Sequence, residues 1–387
     1  MPTIVSGVQY SGKWTKSQQM QAVAAGTWTG VPTPEIFAWG TNSDGQLGLG
    51  NTTNRSSPVQ VGALTTWSRT ASGQNHTLAT KNDGTLWAWG DNFRGELGQG
   101  DTTDRNSPVQ VGALTTWAEV AGGYLYSLAT TTDGKLYAWG YNAQGQLGHG
   151  NITTISSPVQ VGSLTTWSKI SAGYNASYAI KTDGTLWAWG ANNQGQLGQG
   201  NTTNYSSPVQ VGSLTTWAKV SGYKWSCLAL KNDGTLWSWG YNPFGQLGLG
   251  DQTTRSSPVQ VGALTTWTTL GPGAYRGQAI KTDGTLWTWG SDSYGALGIG
   301  ALGNRSSPVQ VGALTTWLQV AGGYFFSLAT TTDGKLYAWG YNDFGQLGDG
   351  TTTSRNSPVQ VGSLTTWGTL SKMSTTGSSL VTTARTT

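Results

Sequence analysis

SPVQVG occupies residues 57 to 62, and the same six letters return at Ser107, Ser157, Ser207, Ser257, Ser307 and Ser357, every fifty residues without an insertion or deletion. Each copy has one order: Trp-Gly, a loop reading GQLG or a close variant, SPVQVG, Thr-Thr-Trp, a short apolar run and Asp-Gly. This is the punctuation of several short strands and of no helix. PVQVG after Ser57 alternates apolar and polar residues, as does TWSRTA from Thr66. HTLAT (His76 to Thr80) and TLWAWG (Thr85 to Gly90) meet at Asp83-Gly84, a pair that readily supplies the positive backbone angles of a tight turn. The count is about four strands per copy, the content of one propeller blade.

A solenoid and a closed propeller both satisfy such a repeat, and the chain ends separate them. GSSLVTT, Gly377 to Thr383, stands in register with HTLAT, and EIFAWG, Glu35 to Gly40, stands in register with TLWAWG. Each end supplies the half of a hairpin that the other lacks. The expected architecture is therefore an all-β, seven-bladed propeller of four-stranded blades over residues 35–387, its closing blade shared by the N- and C-termini. Closure of this kind leaves no large open sheet edge and needs no capping repeats.

The composition narrows the function classes. Charged residues are 10% of the chain, against about 25% in an ordinary soluble domain, so hydration falls to Thr, Ser, Asn, Gln and exposed backbone. A net charge of +4 on 387 residues is too dilute for a nucleic-acid binder unless focused on one face. Cys227 is the only cysteine, which excludes internal disulfides. Fourteen of the 21 tryptophans repeat at two positions, those of Trp39 and Trp67. Each buries roughly 150–250 Å², or roughly 4–6 kcal/mol gross, ample for a core. No uninterrupted apolar stretch is long enough to cross a membrane, and the first ten residues carry no secretory pattern. These features predict a virion or cytoplasmic location.

WGxNxxGQLGxG followed by SPVQV, W, GG and DGxLxxWG resembles the regulator of chromosome condensation repeat family, from about Glu35 to Thr383. The resemblance implies a seven-bladed propeller closed by both termini. One branch of that family exchanges guanine nucleotide on a small nuclear GTPase and docks on chromatin through a basic tail; here residues 1–34 hold only Lys13 and Lys16 as basic side chains. A second branch, the plant UV-B photoreceptor, uses clustered tryptophans in a GWRHT context that is absent. A third inhibits β-lactamases through aromatic loop tips.

Residues suited to chemistry are few, and we expect no catalytic site, metal or cofactor. His76 and His149 fall at different repeat positions. Asp91, Asn92, Glu96, Asp101 and Asp104 share one loop, but their spacing fits no calcium loop and reads as turn acids. Cys227, in SCLAL, reads as an inert core residue. Arg55, Arg105, Arg255, Arg305 and Arg355 precede the SPVQV strand and would form a broken basic circle, a secondary site for an acidic or phosphate-bearing partner. Lys81, Lys181, Lys231 and Lys281 make a second partial circle beside the Asp-Gly turns, where solvation is the default.

The largest departure from uniformity follows the double glycine: QNHT, YLYS, YNAS, KWSC, AYRG and YFFS, from residues 74, 124, 174, 224, 274 and 324. Tyr124, Tyr126, Tyr174, Trp225, Tyr275, Tyr324, Phe325 and Phe326 are of types enriched in binding hot spots. Closure would gather them on one face, suited to a protein or glycan surface. A second variable set follows Trp-Gly: Phe93, Tyr141, Tyr241, Phe244, Tyr294, Tyr341 and Phe344.

YSGKWTKSQQMQAVAAGTW, Tyr10 to Trp28, lies outside the repeat and resembles N-terminal segments of structural or fibre proteins of tailed phages. It makes residues 1–34 a candidate anchoring segment, with Trp14 and Trp28 as docking side chains. The leading expectation is a non-enzymatic interaction module of a virion or surface, binding other virion subunits or a receptor. The alternative is a soluble protein-binding propeller acting as an inhibitor or guanine-nucleotide exchange factor.

Overall fold

The computed structural model describes residues 35–63, 66–371 and 378–383. Trp14, Trp28 and the proposed anchoring segment lie outside the described residues.

The Asp-Gly hairpin is the kernel of each blade. In the second blade, His76–Lys81 pairs with Leu86–Gly90 around Asp83-Gly84. The Asp83 carboxylate accepts from the Thr85 amide and hydroxyl at 3.0 and 2.7 Å, fixing the turn. Trp67–Ser72 pairs on one side of the hairpin and Arg105–Gln110 on the other, giving a four-stranded antiparallel meander. The outer strand bulges between Arg105 and Val109, where Pro108 has no amide to give the ladder. The same order is found in six of the seven sheets.

The seventh sheet is the closure. Ile36–Gly40 pairs antiparallel with Ser378–Thr383 in the register Ile36 with Thr382, Ala38 with Leu380 and Gly40 with Ser378. Arg55–Gln60 and Trp367–Leu370 complete that blade, so the end-matching argument gave the topology correctly. Among the described residues the one helical element is a single 3₁₀ turn, Ser293–Gly295, and no helix is long and apolar enough to cross a membrane.

Apolar clusters lie between blades rather than within them. One joins Ile36, Ala38 and Leu47 of the first blade to Trp67, Ala79 and Trp89 of the second. At each seam the buried indole of the Trp39 series reaches the loop of the preceding blade. Trp89 Nε1 donates to the Gln46 carbonyl at 3.0 Å, and the Thr77 hydroxyl donates to the same oxygen at 2.9 Å. Gly48 makes the approach possible, since a Cβ there would stand 2.7 Å from that indole nitrogen. The closing seam is built identically: Trp39 Nε1 and the Ser379 hydroxyl both donate to the Gln346 carbonyl at 3.0 Å. The Gly350 amide then donates to the Ser56 carbonyl, as Gly50 does to Asn106.

Deleting Gly377–Thr387 removes the strand between Ile36–Gly40 and Trp367–Leu370. The truncated chain should unfold about 10 °C or more below the full chain, read by calorimetry; an unchanged midpoint would contradict closure by strand pairing.

Candidate functional site: an aromatic face around the axis

Because each blade is an antiparallel meander, the turn after its first strand and the loop after its third lie at the same end. The two variable sets therefore share one face of the ring. Residues 74, 124, 174, 224, 274 and 324 come in from successive blades toward the axis, and their backbones are stitched together: the Tyr124 amide donates to the Tyr174 carbonyl and the Tyr174 amide to the Tyr223 carbonyl, both at 3.1 Å. Against this collar lies a void of about 20 Å³, lined by Gly73, Gly123, Gly173 and their neighbours, room for about one water.

Six of the eight aromatic residues expected to form the face do come together, each half-buried. Tyr124 and Tyr174 stack with centroids 3.8 Å apart. Trp225 meets Tyr174 at 6.5 Å and Tyr275 at 6.1 Å. Tyr275 meets Tyr324 at 5.7 Å, and Tyr324 meets Phe325 at 4.4 Å. The second variable set continues the network outward. Tyr241 packs on Trp225, Phe244 on Tyr275, and Tyr294 on both Phe325 and Tyr341. Tyr294 is 53% exposed and holds φ at +60°, unusual for a bulky side chain. Arg94 lies over Phe93 and Tyr141 at 4.5 and 5.3 Å.

Tyr126 and Phe326 do not belong to this face. Each is the first residue of its blade's second strand, paired with Gly140 or Gly340, and turns between blades, where both are fully buried. Tyr126 donates its hydroxyl to the Ala176 carbonyl at 2.8 Å, and Phe326 packs with Trp39 and Leu347. Their column is an inter-blade filler throughout. His76, in the same column, contacts Ser127 Oγ at 3.0 Å, and burial pushes its imidazole down to about 3. Arg276 spans to the carbonyls of Tyr324 and Phe326, and burial brings its guanidinium down to about 10.

Sequence reading missed Lys224, which sits at the centre. Its Nζ donates to the hydroxyls of Tyr275 and Tyr324, both at 2.7 Å, one and two blades onward. The same ammonium lies 4.6 Å from the Trp225 centroid and 4.7 Å from those of Tyr275 and Tyr324. Burial alone would raise the Tyr324 phenol, but the hydrogen bonds from Lys224 and Tyr275 outweigh it and leave the group below its ordinary value. The available signal was a lone lysine in a column of Tyr, Gln and Ala.

The five arginines bind their own loops. Arg105, Arg255 and Arg355 pair with Asp101, Asp251 and Asp349 at 2.8, 2.6 and 2.9 Å. Arg305 donates to the Gly303 and Asn304 carbonyls, and Arg55 to that of Asn54. The lysine circle is not simply solvated: Lys181, Lys231 and Lys281 lie 3.6 Å, and Lys81 4.0 Å, above the indoles of Trp187, Trp237, Trp287 and Trp87. The acids of the 91–104 loop cap loop amides, Asp91 that of Phe93, Asp101 that of Thr103 and Asp104 that of Asn92. Among the described residues no three of His, Cys, Asp and Glu converge as metal ligands.

With this geometry in place, comparison with known proteins agrees with the repeat reading. The RCC1-like domain model matches residues 165–385, and the regulator of chromosome condensation (RCC1) repeat model matches residues 35–80, 83–130 and 133–180. The chain belongs to the RCC1-like propeller family. Its fold is similar to that of human WBSCR16, with 21% identity and a TM-score of 0.82 over 92% of this chain and 100% of that one. Prp20p from Saccharomyces cerevisiae, studied with its binding to Gsp1p and histones, gives 21% identity and 0.81 over 92% and 93%. Yeast RCC1 (Prp20) bound to Kap60 gives 21% and 0.82 over 100% and 97%.

Glu96 offers a test of the loop that carries Arg94. It replaces the glutamine found at Gln46, Gln146, Gln196, Gln246 and Gln346. One carboxylate oxygen accepts from the Arg94 amide at 2.6 Å, and the other is buried with no partner. Burial, followed by repulsion from Asp91 and Asp104, pushes the carboxyl from 4.5 to about 8. The folded state thus holds the proton more tightly than the unfolded chain, and stability falls as pH rises between those values. Glu96→Gln should add on the order of 4 kcal/mol at pH 8 and almost nothing near pH 4.5, read from denaturant unfolding. Parallel pH profiles for the two proteins would contradict the buried carboxyl.

Proposed function

We propose that this chain is a non-enzymatic, protein-binding propeller that captures its partner on the aromatic face around the axis. The observation that carries the reading is the joining of two variable sequence sets into one half-exposed aromatic surface, while the framework behind it repeats almost unchanged. Tyr, Trp and Phe give large contact area at low entropic cost, and Arg94 and Lys224 add the charge that such surfaces favour. Family membership supports the same reading, since Prp20p binds Gsp1p and histones and is seen with Kap60. Capture of one protein by this face accommodates either inhibition or nucleotide exchange. A virion role rests on the segment before residue 35 and gains no support from the family or the solved relatives.

The test is affinity capture with the full chain, then titration of the purified partner against Trp225→Ala and Phe325→Ala. Each variant should weaken binding by about 2 kcal/mol, roughly thirtyfold, with the unfolding midpoint little changed. Intact binding with lost stability would make these rings inter-blade packing and defeat the proposal. For a GTPase partner, release of bound guanine nucleotide separates exchange from inhibition.

A further inference from the structure

Among the collar positions 74, 124, 174, 224, 274 and 324 only residue 224 is charged. An ammonium has three N–H donors, and two of those on Lys224 go to the oxygens of Tyr275 and Tyr324. As acceptors, those phenols keep their own hydrogens to donate. The two hydroxyls lie 3.4 Å apart, so one phenol hydrogen can serve the other oxygen and the second must look elsewhere. The mouth of the axis therefore presents one N–H and one O–H donor from a single positive centre. Facing aromatic rings favour the cation but leave its charge uncancelled.

No carboxylate of the described chain supplies that cancellation, for Lys224 enters none of the ion pairs that hold the arginines to their loops. We propose that Lys224, with the Tyr324 hydroxyl beside it, is the anchor for a carboxylate of the bound protein, an aspartate or glutamate side chain projecting from its docked surface. This rests on the reading of the aromatic face as a protein-binding surface and names the chemistry at its centre. Two features favour a carboxylate over a polyphosphate chain. Nucleic acids need several cations along a track, whereas Arg105, Arg255 and Arg355 at this end are tied to aspartates. The void that Lys224 helps to line, about 20 Å³, admits no more than the tip of a side chain.

The experiment titrates the full chain with a fluorescein-labelled hexaglutamate peptide, with hexaglutamine as control, by anisotropy. Wild type should bind hexaglutamate saturably, and more weakly as salt rises. Lys224→Met should weaken binding by about tenfold or more while Lys224→Arg retains most of it. Tyr324→Phe, which keeps the ring, should weaken it less than Lys224→Met and guards against a misfolded lysine variant. Wild type indifferent to hexaglutamate, or Lys224→Met binding within twofold of wild type, overturns the proposal. Its failure is distinguishable from failure of the aromatic face. If Trp225→Ala abolishes partner binding while Lys224→Met changes neither partner nor peptide, the face stands without a carboxylate anchor.

Discussion

The ring depends on one bond made at every seam: a buried indole N–H donating to the backbone carbonyl of the preceding blade's loop. Trp39, Trp89, Trp139, Trp189, Trp239, Trp289 and Trp339 all make it, at 2.8–3.0 Å. Each indole is fully buried, so its polar hydrogen needs a partner, and that carbonyl lies one blade away. The adjacent strand usually adds a hydroxyl to the same oxygen. In the fifth blade Cys227 replaces that hydroxyl, and Tyr178 reaches the Gln196 carbonyl instead at 2.8 Å. In the sixth, Gly277 lies against Trp289, too close for any Cβ, and the indole alone serves the carbonyl. The seams tolerate loss of the second donor but nowhere lose the first.

With the framework held this way, variation is free to concentrate at one end. The opposite end repeats as two cassettes. KxDGTLW lets the Trp87 indole donate to the Thr85 hydroxyl at 2.9 Å beneath Lys81. TTDGKLY replaces the indole with Tyr137 and pairs Lys135 with Asp133 at 2.7 Å. In the first cassette the lysine lies over its indole, and in the second it is paired with an aspartate. The sixth blade departs most, with Asp292 in place of the usual asparagine and accepting from the Leu297 and Gly303 amides. Its unusual backbone at Tyr294 falls at an exposed part of the aromatic face.

The fold was legible because period and end-matching are properties of the chain alone. Trp39 and Ser379 become neighbours for the same reason that Trp89 and Thr77 do, and copies in register report it. The face was only partly legible. Tyr324, Phe325 and Phe326 are consecutive and equally aromatic, yet they go to the axis, the outer face and the core, because the strand begins at Phe326. That the two variable sets share an end follows from counting strands in a meander, an argument open to the sequence. The position of Lys224 was not readable: it reaches Tyr324, 100 residues away, through a collar whose diameter no local pattern encodes. Part of the basic circle is tied down for a local reason, since Asp101 and Asp251 stand four residues before Arg105 and Arg255 and pair with them.

The most direct test of a ring with seven equivalent seams is hydrogen exchange of the indole N–H groups, followed by NMR in protein labelled with ¹⁵N at tryptophan. The account predicts that the Trp39 signal exchanges as slowly as those of Trp89 through Trp339, all of them near the global unfolding limit. A Trp39 signal that exchanges far faster than the other six would mean that the closing seam opens separately, and would contradict a single closed ring.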